Sequence, residues 1–176
     1  MATVCAWYRT NGRDLPWRRP GTSPWAVLVS EVMSQQTPVA RVIGPWTEWM
    51  QRWPTPDDLA EEEPGTAVAA WGRLGYPRRA LRLHACAVVI ATQHDGQVPS
   101  SHDELVALPG IGDYTAAAVV SFAFGGRAVV LDTNVRRLIA RAECGIGNCP
   151  SSLTRAEREL ASGLVPDADP ARWAVA

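Results

Sequence analysis

Four times in this chain a side chain able to cap a helix stands directly before a proline suited to a first helical turn: Ser23-Pro24, Thr37-Pro38, Thr55-Pro56 and Asp169-Pro170. Punctuation of this kind, repeated along 176 residues, specifies many short helices and leaves little room for sheet. Ser101 with Glu104 reads as a capping box opening a helix to Ala107. Arg78 to His94 and Tyr114 to Phe124 read as longer helices, the second stopped by Gly125 and Gly126. Only Ala128 to Leu131 has β-branched character, and it leads into a helix expected near Asn134. The fold class expected is all-α.

At 47% hydrophobic the chain can bury a core and build one domain or two small lobes. Its longest apolar runs, such as Ala116 to Phe124, fall well short of the ~20 residues of a membrane span, and Arg9 and Arg13 flank no signal-type stretch. A soluble intracellular protein with no membrane partner is expected. All 17 basic residues are arginine, so lysine Schiff-base chemistry is excluded. A net charge of -1 argues against holding nucleic acid by bulk positive charge, so any DNA contact must be local. Cys5, Cys86, Cys144 and Cys149 lack the tight repeated pairs of a zinc or iron-sulfur site and read as reduced structural thiols, with no metal site among them. Glu61, Glu62 and Glu63 read as a solvated helix end.

One segment could supply the local contact. Leu108-Pro109-Gly110-Ile111-Gly112 lies between two expected helices, with glycines where a backbone turns sharply or approaches a ligand. Its amides, with the partial positive charge of the helix beginning near Asp113, can hold a phosphate without a basic side chain. An ordinary helix-helix turn accounts for the same residues taken alone. Asp113 could cap the second helix but would repel a nearby phosphate.

Two carboxyl groups suit the cleavage of an N-glycosidic bond, which builds positive charge on the sugar and negative charge on the departing base. One, kept protonated by partial burial, can protonate the leaving purine, while the other, ionised, stabilises the sugar cation. Glu31, inside an otherwise apolar helix running from Trp25, and Asp132 are the candidates. An exposed helix face would also explain Glu31, and helix capping would also explain Asp132.

Leu15-Pro16-Trp17-Arg18, then Ser30-Glu31-Val32-Met33 with Gln35-Gln36-Thr37, then the hairpin segment, then Leu131-Asp132-Thr133-Asn134 resemble, in order and spacing, the MutY-type adenine DNA glycosylases of the helix-hairpin-helix (endonuclease III) superfamily. The resemblance implies a six-helix barrel over residues 20–125 and a second helical lobe formed by 1–19 and 126–176. It implies hydrolysis of the bond to an adenine mispaired with 8-oxoguanine or guanine, in double-stranded DNA, by a monomer. Glu31 would protonate the adenine and activate water, Asp132 would stabilise the sugar cation, and Asn134 and Tyr114 would orient or support the intermediate. Related bifunctional enzymes carry a lysine at the Tyr114 position, and tyrosine forms no imine, so a monofunctional enzyme is implied.

By the same resemblance Gln36 and Tyr76 would wedge into the opened duplex, with Pro77 standing where a second aromatic is usual. Trp17 and Arg18 would line the pocket for the extruded base, and Leu108, Gly110, Ile111 and Gly112 would grip the DNA backbone. Trp46, Trp49, Trp53, Trp71, His84 and Cys86 read as core filling. The family continues past Ala176 with four cysteines for an iron-sulfur (4Fe-4S) cluster and a domain that reads the oxidised guanine, so the chain is expected to be a C-terminally truncated core with those ligands beyond it. Two other functions fit the residues: a mismatch thymine or uracil glycosylase, and a DNA-binding remnant without catalysis.

Overall fold

A computed structural model describes residues 2–147 and 152–175. Eleven helices and a short 3-10 turn, with no strand, make up the described residues. In chain order the helices are α1 (Ala2–Asn11), α2 (Pro24–Ser34), α3 (Val39–Arg52), α4 (Pro56–Ala60), α5 (Pro64–Trp71), α6 (Arg78–Gln93), α7 (His102–Ala107), α8 (Asp113–Phe124), α9 (Thr133–Cys144), α10 (Arg155–Leu164) and α11 (Pro170–Val175), and the turn is Pro16–Arg18. Ala128 to Leu131, the one segment with strand character, runs as irregular backbone into α9.

The capping signals set most of these boundaries. Ser23 accepts from the Ala26 amide, Ser101 from Glu104 and Thr55 from Asp58, each an otherwise orphaned first-turn donor. The Ser101 box is only half closed, because the Glu104 carboxylate takes the Ser101 hydroxyl rather than its amide. Thr37 departs from expectation: α3 starts one residue later, with Pro38 at its N-cap. The Thr37 hydroxyl turns inward instead, to the carbonyls of Gln35 and Leu74 at 3.2 and 3.3 Å.

Helix α2 is apolar around most of its circumference and is therefore central. It packs on α3, α6 and α8, while α4 and α5 lie against α6. The small side chains Ala116, Ala117 and Ala118 present no bulk between α8 and its neighbours. One large core runs from Leu15 to Val119, and a small one gathers Ala117, Ala118 and Val130 with Phe122, Ala128 and Ala174 against them. The expected tryptophan filling is found: Trp49 sits edge-on to both Trp53 and Trp71, at 4.8 and 5.4 Å between rings. Cys86 is buried, and the His84 ring contacts the Glu62 carbonyl at 2.6 Å. Glu62 is not simply solvated, since its carboxylate accepts from Arg52 and from the Trp53 indole.

Candidate active site

A cleft of about 540 Å³ opens between the C-terminal half of α2, the α7–α8 turn and the start of α9, lined by Glu31, Ser34, Gln35, Gln36, Gly110, Gly112, Tyr114, Thr115 and Asp132. Glu31 reaches it because α2, buried from Trp25 to Ser30 and at Val32 and Met33, turns Glu31 and Ser34 toward open space. Burial pushes its carboxyl up to about 7, against the opposing pull of the Arg18 charge and of the hydrogen bond from the Tyr114 hydroxyl. The Tyr114 hydroxyl is itself held far above its ordinary range by burial and by the nearby Glu31 and Asp132 carboxylates, so it stays a proton donor. Asp132 stands at the N-cap of α9, where one carboxylate oxygen accepts from the Val135 amide at 2.7 Å. The other accepts from the Asn134 side-chain Nδ2 at 3.4 Å. Capping and a place in the cleft therefore coexist in Asp132, which separates neither role from the other.

The hairpin corrects two sequence expectations. Leu108 and Ile111 are 3% and 5% exposed, and the Ile111 amide donates to the Leu108 carbonyl, so neither side chain faces outward and one expected phosphate donor is spent internally. The free donors are backbone groups: among the described residues, the amides of Gly110 and Gly112 have no protein acceptor. Gly110 turns at φ +79°, and a Cβ there would lie 2.7 Å from that of Arg82. Asp113 does not cap α8, because Gly112 occupies the N-cap. Instead its carboxylate bonds Arg158 at 2.7 Å and His102 at 3.2 Å. The Arg158 hydrogen bond, helped by both charges, holds Asp113 below the usual carboxylate range, so the negative charge is matched rather than removed.

The remaining site residues are dispersed around this centre. Gln36 lines the cleft, Tyr76 projects from the loop before α6 and is 64% exposed, and both adopt left-handed backbone at φ 52° and 50°. Trp17 is only 6% exposed and packs edge-on against Trp46, so it belongs to the core and does not line the cleft. Arg18 is exposed, donates to the Tyr8 hydroxyl at 2.8 Å, and acts on Glu31 through its charge. Asn134 is exposed and touches the site only through Asp132. Sequence reasoning passed over Ser34, Gln35 and Thr115, although Gln35 bonds Thr115 across the cleft at 3.3 Å.

Among the described residues no group of three His, Cys, Asp or Glu side chains is placed to hold a metal. Cys5 lies on α1, Cys86 inside the core and Cys144 exposed on α9, while Cys149 falls outside the described residues. The three described thiols do not fit an iron-sulfur cluster. No helix among the described residues is long and apolar enough to cross a membrane.

An all-helical cleft that sets a proton-holding glutamate against a capping aspartate, beside a glycine hairpin with free amides, defines a class rather than a single enzyme. Residues 29–162 match the HhH-GPD superfamily base excision DNA repair proteins, and the chain belongs to that family. Over 142 residues, 81% of its length, it is 56% identical to the adenine DNA glycosylase of Mycobacterium tuberculosis, of which it covers 47%. Over 164 residues, 93% of its length, it is 53% identical to the adenine DNA glycosylase of Mycolicibacterium smegmatis, of which it covers 56%. The chain thus spans about half the length of the curated relatives it matches. Its fold is that of a solved thermostable thymine-DNA glycosylase, with a TM-score of 0.88 at 28% identity over 99% of this chain and 80% of the other.

Proposed function

We propose that this chain carries the catalytic centre of a monofunctional DNA glycosylase that hydrolyses the N-glycosidic bond of adenine mispaired with 8-oxoguanine or guanine. The observation that carries the reading is the Glu31 carboxyl, which retains its proton to about pH 7 in a cleft that also holds Asp132. A protonated Glu31 gives its proton to a ring nitrogen of the extruded adenine, which then leaves neutral. The ionised Asp132 faces the oxocarbenium-like sugar that remains, and Glu31, now a carboxylate, takes a proton from the attacking water. Tyr114 donates to Glu31 and forms no imine, so the strand is left intact at an abasic site.

Double-stranded DNA is held, on this reading, by the Gly110 and Gly112 amides and the first turn of α8, which place partial positive charge at a backbone phosphate. On this reading a hairpin-bearing lobe spans 20–125, with residues 1–19 and 126–176 contributing the second; most of the large core falls in the first, although Leu15 and Trp17 belong to it too. The strong likeness to adenine glycosylases supports adenine as the leaving base, and the fold shared with a thymine glycosylase makes thymine the alternative to test.

The test is adenine release from an A:8-oxoguanine duplex by the purified chain, with a G:T duplex and Glu31→Gln alongside. Release of adenine, with strand breaks only after alkali and a loss of at least about 100-fold in Glu31→Gln, is expected. Thymine release from G:T in preference would reassign the substrate. Binding without release of either base would overturn the catalytic reading.

A further inference from the structure

Arg79, in the first turn of α6, is 9% exposed and has no carboxylate partner among the described residues. Its guanidinium makes six hydrogen bonds, to oxygens of the last turn of α2, of the loop that follows it and of the loop before α6. Nη1 donates to the carbonyls of Val32 at 3.0 Å, Met33 at 3.1 Å and Gln35 at 2.5 Å. Nη2 donates to the Thr37 hydroxyl at 3.0 Å and to the carbonyls of Leu74 and Gly75, both at 3.1 Å. A buried cation without a counter-charge is costly. The negative end of α2, whose last carbonyls it collects, offsets that cost. Burial nonetheless leaves its Nε without a partner.

The arrangement grips the immediate neighbours of two residues. Gln36 stands between Gln35 and Thr37, and Tyr76 follows Gly75. Both have φ near +50°, a backbone conformation that non-glycine residues hold only where the surroundings over-determine it. The Tyr76 ring is also stacked toward the cation, its centroid 5.6 Å from the guanidinium carbon, and the Tyr76 carbonyl accepts the Arg79 amide at 2.9 Å. An enzyme acting on a base inside a duplex must fill the gap the base leaves, and a wedge that flexes cannot hold it open.

We propose that Arg79 is a positioning residue that locks Gln36 and Tyr76 as a matched pair of wedges, one guanidinium fixing both insertion loops for opening the duplex. This rests on the glycosylase reading above. Lysine cannot replace it, because an ammonium has three donors and no planar fork to span both loops.

The experiment compares the full chain with Arg79→Lys on two substrates: a fully paired A:8-oxoguanine duplex, and the same duplex with the target adenine in a preformed bubble. Single-turnover adenine release is measured on both, and duplex opening is followed by 2-aminopurine fluorescence at the target position. Arg79→Lys should lose at least about tenfold on the paired duplex and no more than about threefold in the bubble, with a matching loss of 2-aminopurine brightening. Equal loss on both substrates, or no loss on either, overturns the proposal. Thr37→Val, which deletes one acceptor, should show the same selectivity to a smaller extent, and Thr37→Ser should restore it. If Arg79→Lys does not fold, the Thr37 pair decides by the same criterion. A parent chain that brightens 2-aminopurine without releasing base sinks the proposed chemistry and leaves the positioning test intact. Parent release with undiminished brightening in Arg79→Lys sinks the positioning role alone, and a parent that does neither sinks both.

Discussion

Replacing Glu31 by glutamine should make the protein more stable, by a margin that grows as pH rises from about 4.5 to about 7 and then holds. A free glutamate carboxyl titrates at 4.5, whereas in the fold Glu31 is pushed up to about 7. At 1.36 kcal/mol per tenfold change in proton affinity, the ionised carboxylate costs the folded state about 3 kcal/mol. The sign follows from where the protons sit. Between pH 4.5 and 7 the unfolded chain has released this proton and the folded chain has not. Wild-type stability therefore falls across that window and levels off above it. Glutamine is neutral at every pH, near-isosteric, and escapes the cost. Other titrations, such as those of Asp113 and Glu157, are common to both proteins and cancel in the difference.

Urea unfolding followed by far-ultraviolet circular dichroism at pH 5 and pH 8 measures the gap. At pH 8 Glu31→Gln should be more stable by about 2–3 kcal/mol, or roughly 4–12 °C in Tm for a domain of this size. At pH 5 the advantage should shrink below about 1 kcal/mol. A gap that does not change with pH, or a wild type that is the more stable at pH 8, would refute the burial argument for this carboxyl.

Asp132→Asn should keep its helix cap and stay within about 0.5 kcal/mol of wild type, while Asp132→Ala loses about 1 kcal/mol, as read by urea midpoints; both should lose adenine release, which separates the cap from the chemistry. Gly110→Ala forces a side chain into φ +79° against Arg82 and should cost at least about 1 kcal/mol, with weaker duplex binding in a fluorescence titration. Asp113→Asn removes a carboxylate beside the hairpin amides and leaves Arg158 without its partner, so duplex affinity at low salt should rise by about threefold or more, an advantage that fades as salt is added.

What the sequence made legible was short-range. Ser23, Thr55 and Ser101 lie three residues from the amides they satisfy, and such signals need no tertiary information. Glu31 stood out as an acid in an apolar helix, and the motif resemblance brought it together with Asp132 across 100 residues. Thr37 misled because its hydroxyl had a better use inside, where Leu74 and Arg79 converge on it. Asp113 misled because its partner Arg158 lies 45 residues away. Leu108 and Ile111 kept the hairpin in view but could not show that their side chains face the core. Arg79 did carry a signal: it falls on the same helical stripe as Leu83, Cys86, Ala87 and Ile90, where an arginine is out of place. Its partners lie up to 47 residues back along the chain, and no local pattern could have named them.

The tryptophans of the large core also determine what can be seen of this protein in solution. Trp17, Trp25, Trp46, Trp49, Trp53 and Trp71 are all buried there. From Gly125 to Arg172 the chain has no tryptophan, tyrosine or phenylalanine at all. Emission from these six therefore watches one side of the cleft, Trp7 and Trp173 report only on α1 and α11, and no aromatic side chain lies on α9 or α10, which bring Asp132 and Arg158. A molecule whose α9 and α10 had melted away from an intact hairpin core would keep a native emission spectrum while lacking half its catalytic pair. For this chain a native-looking fluorescence trace certifies the glutamate's side of the cleft, and the aspartate's side has to be read by another probe.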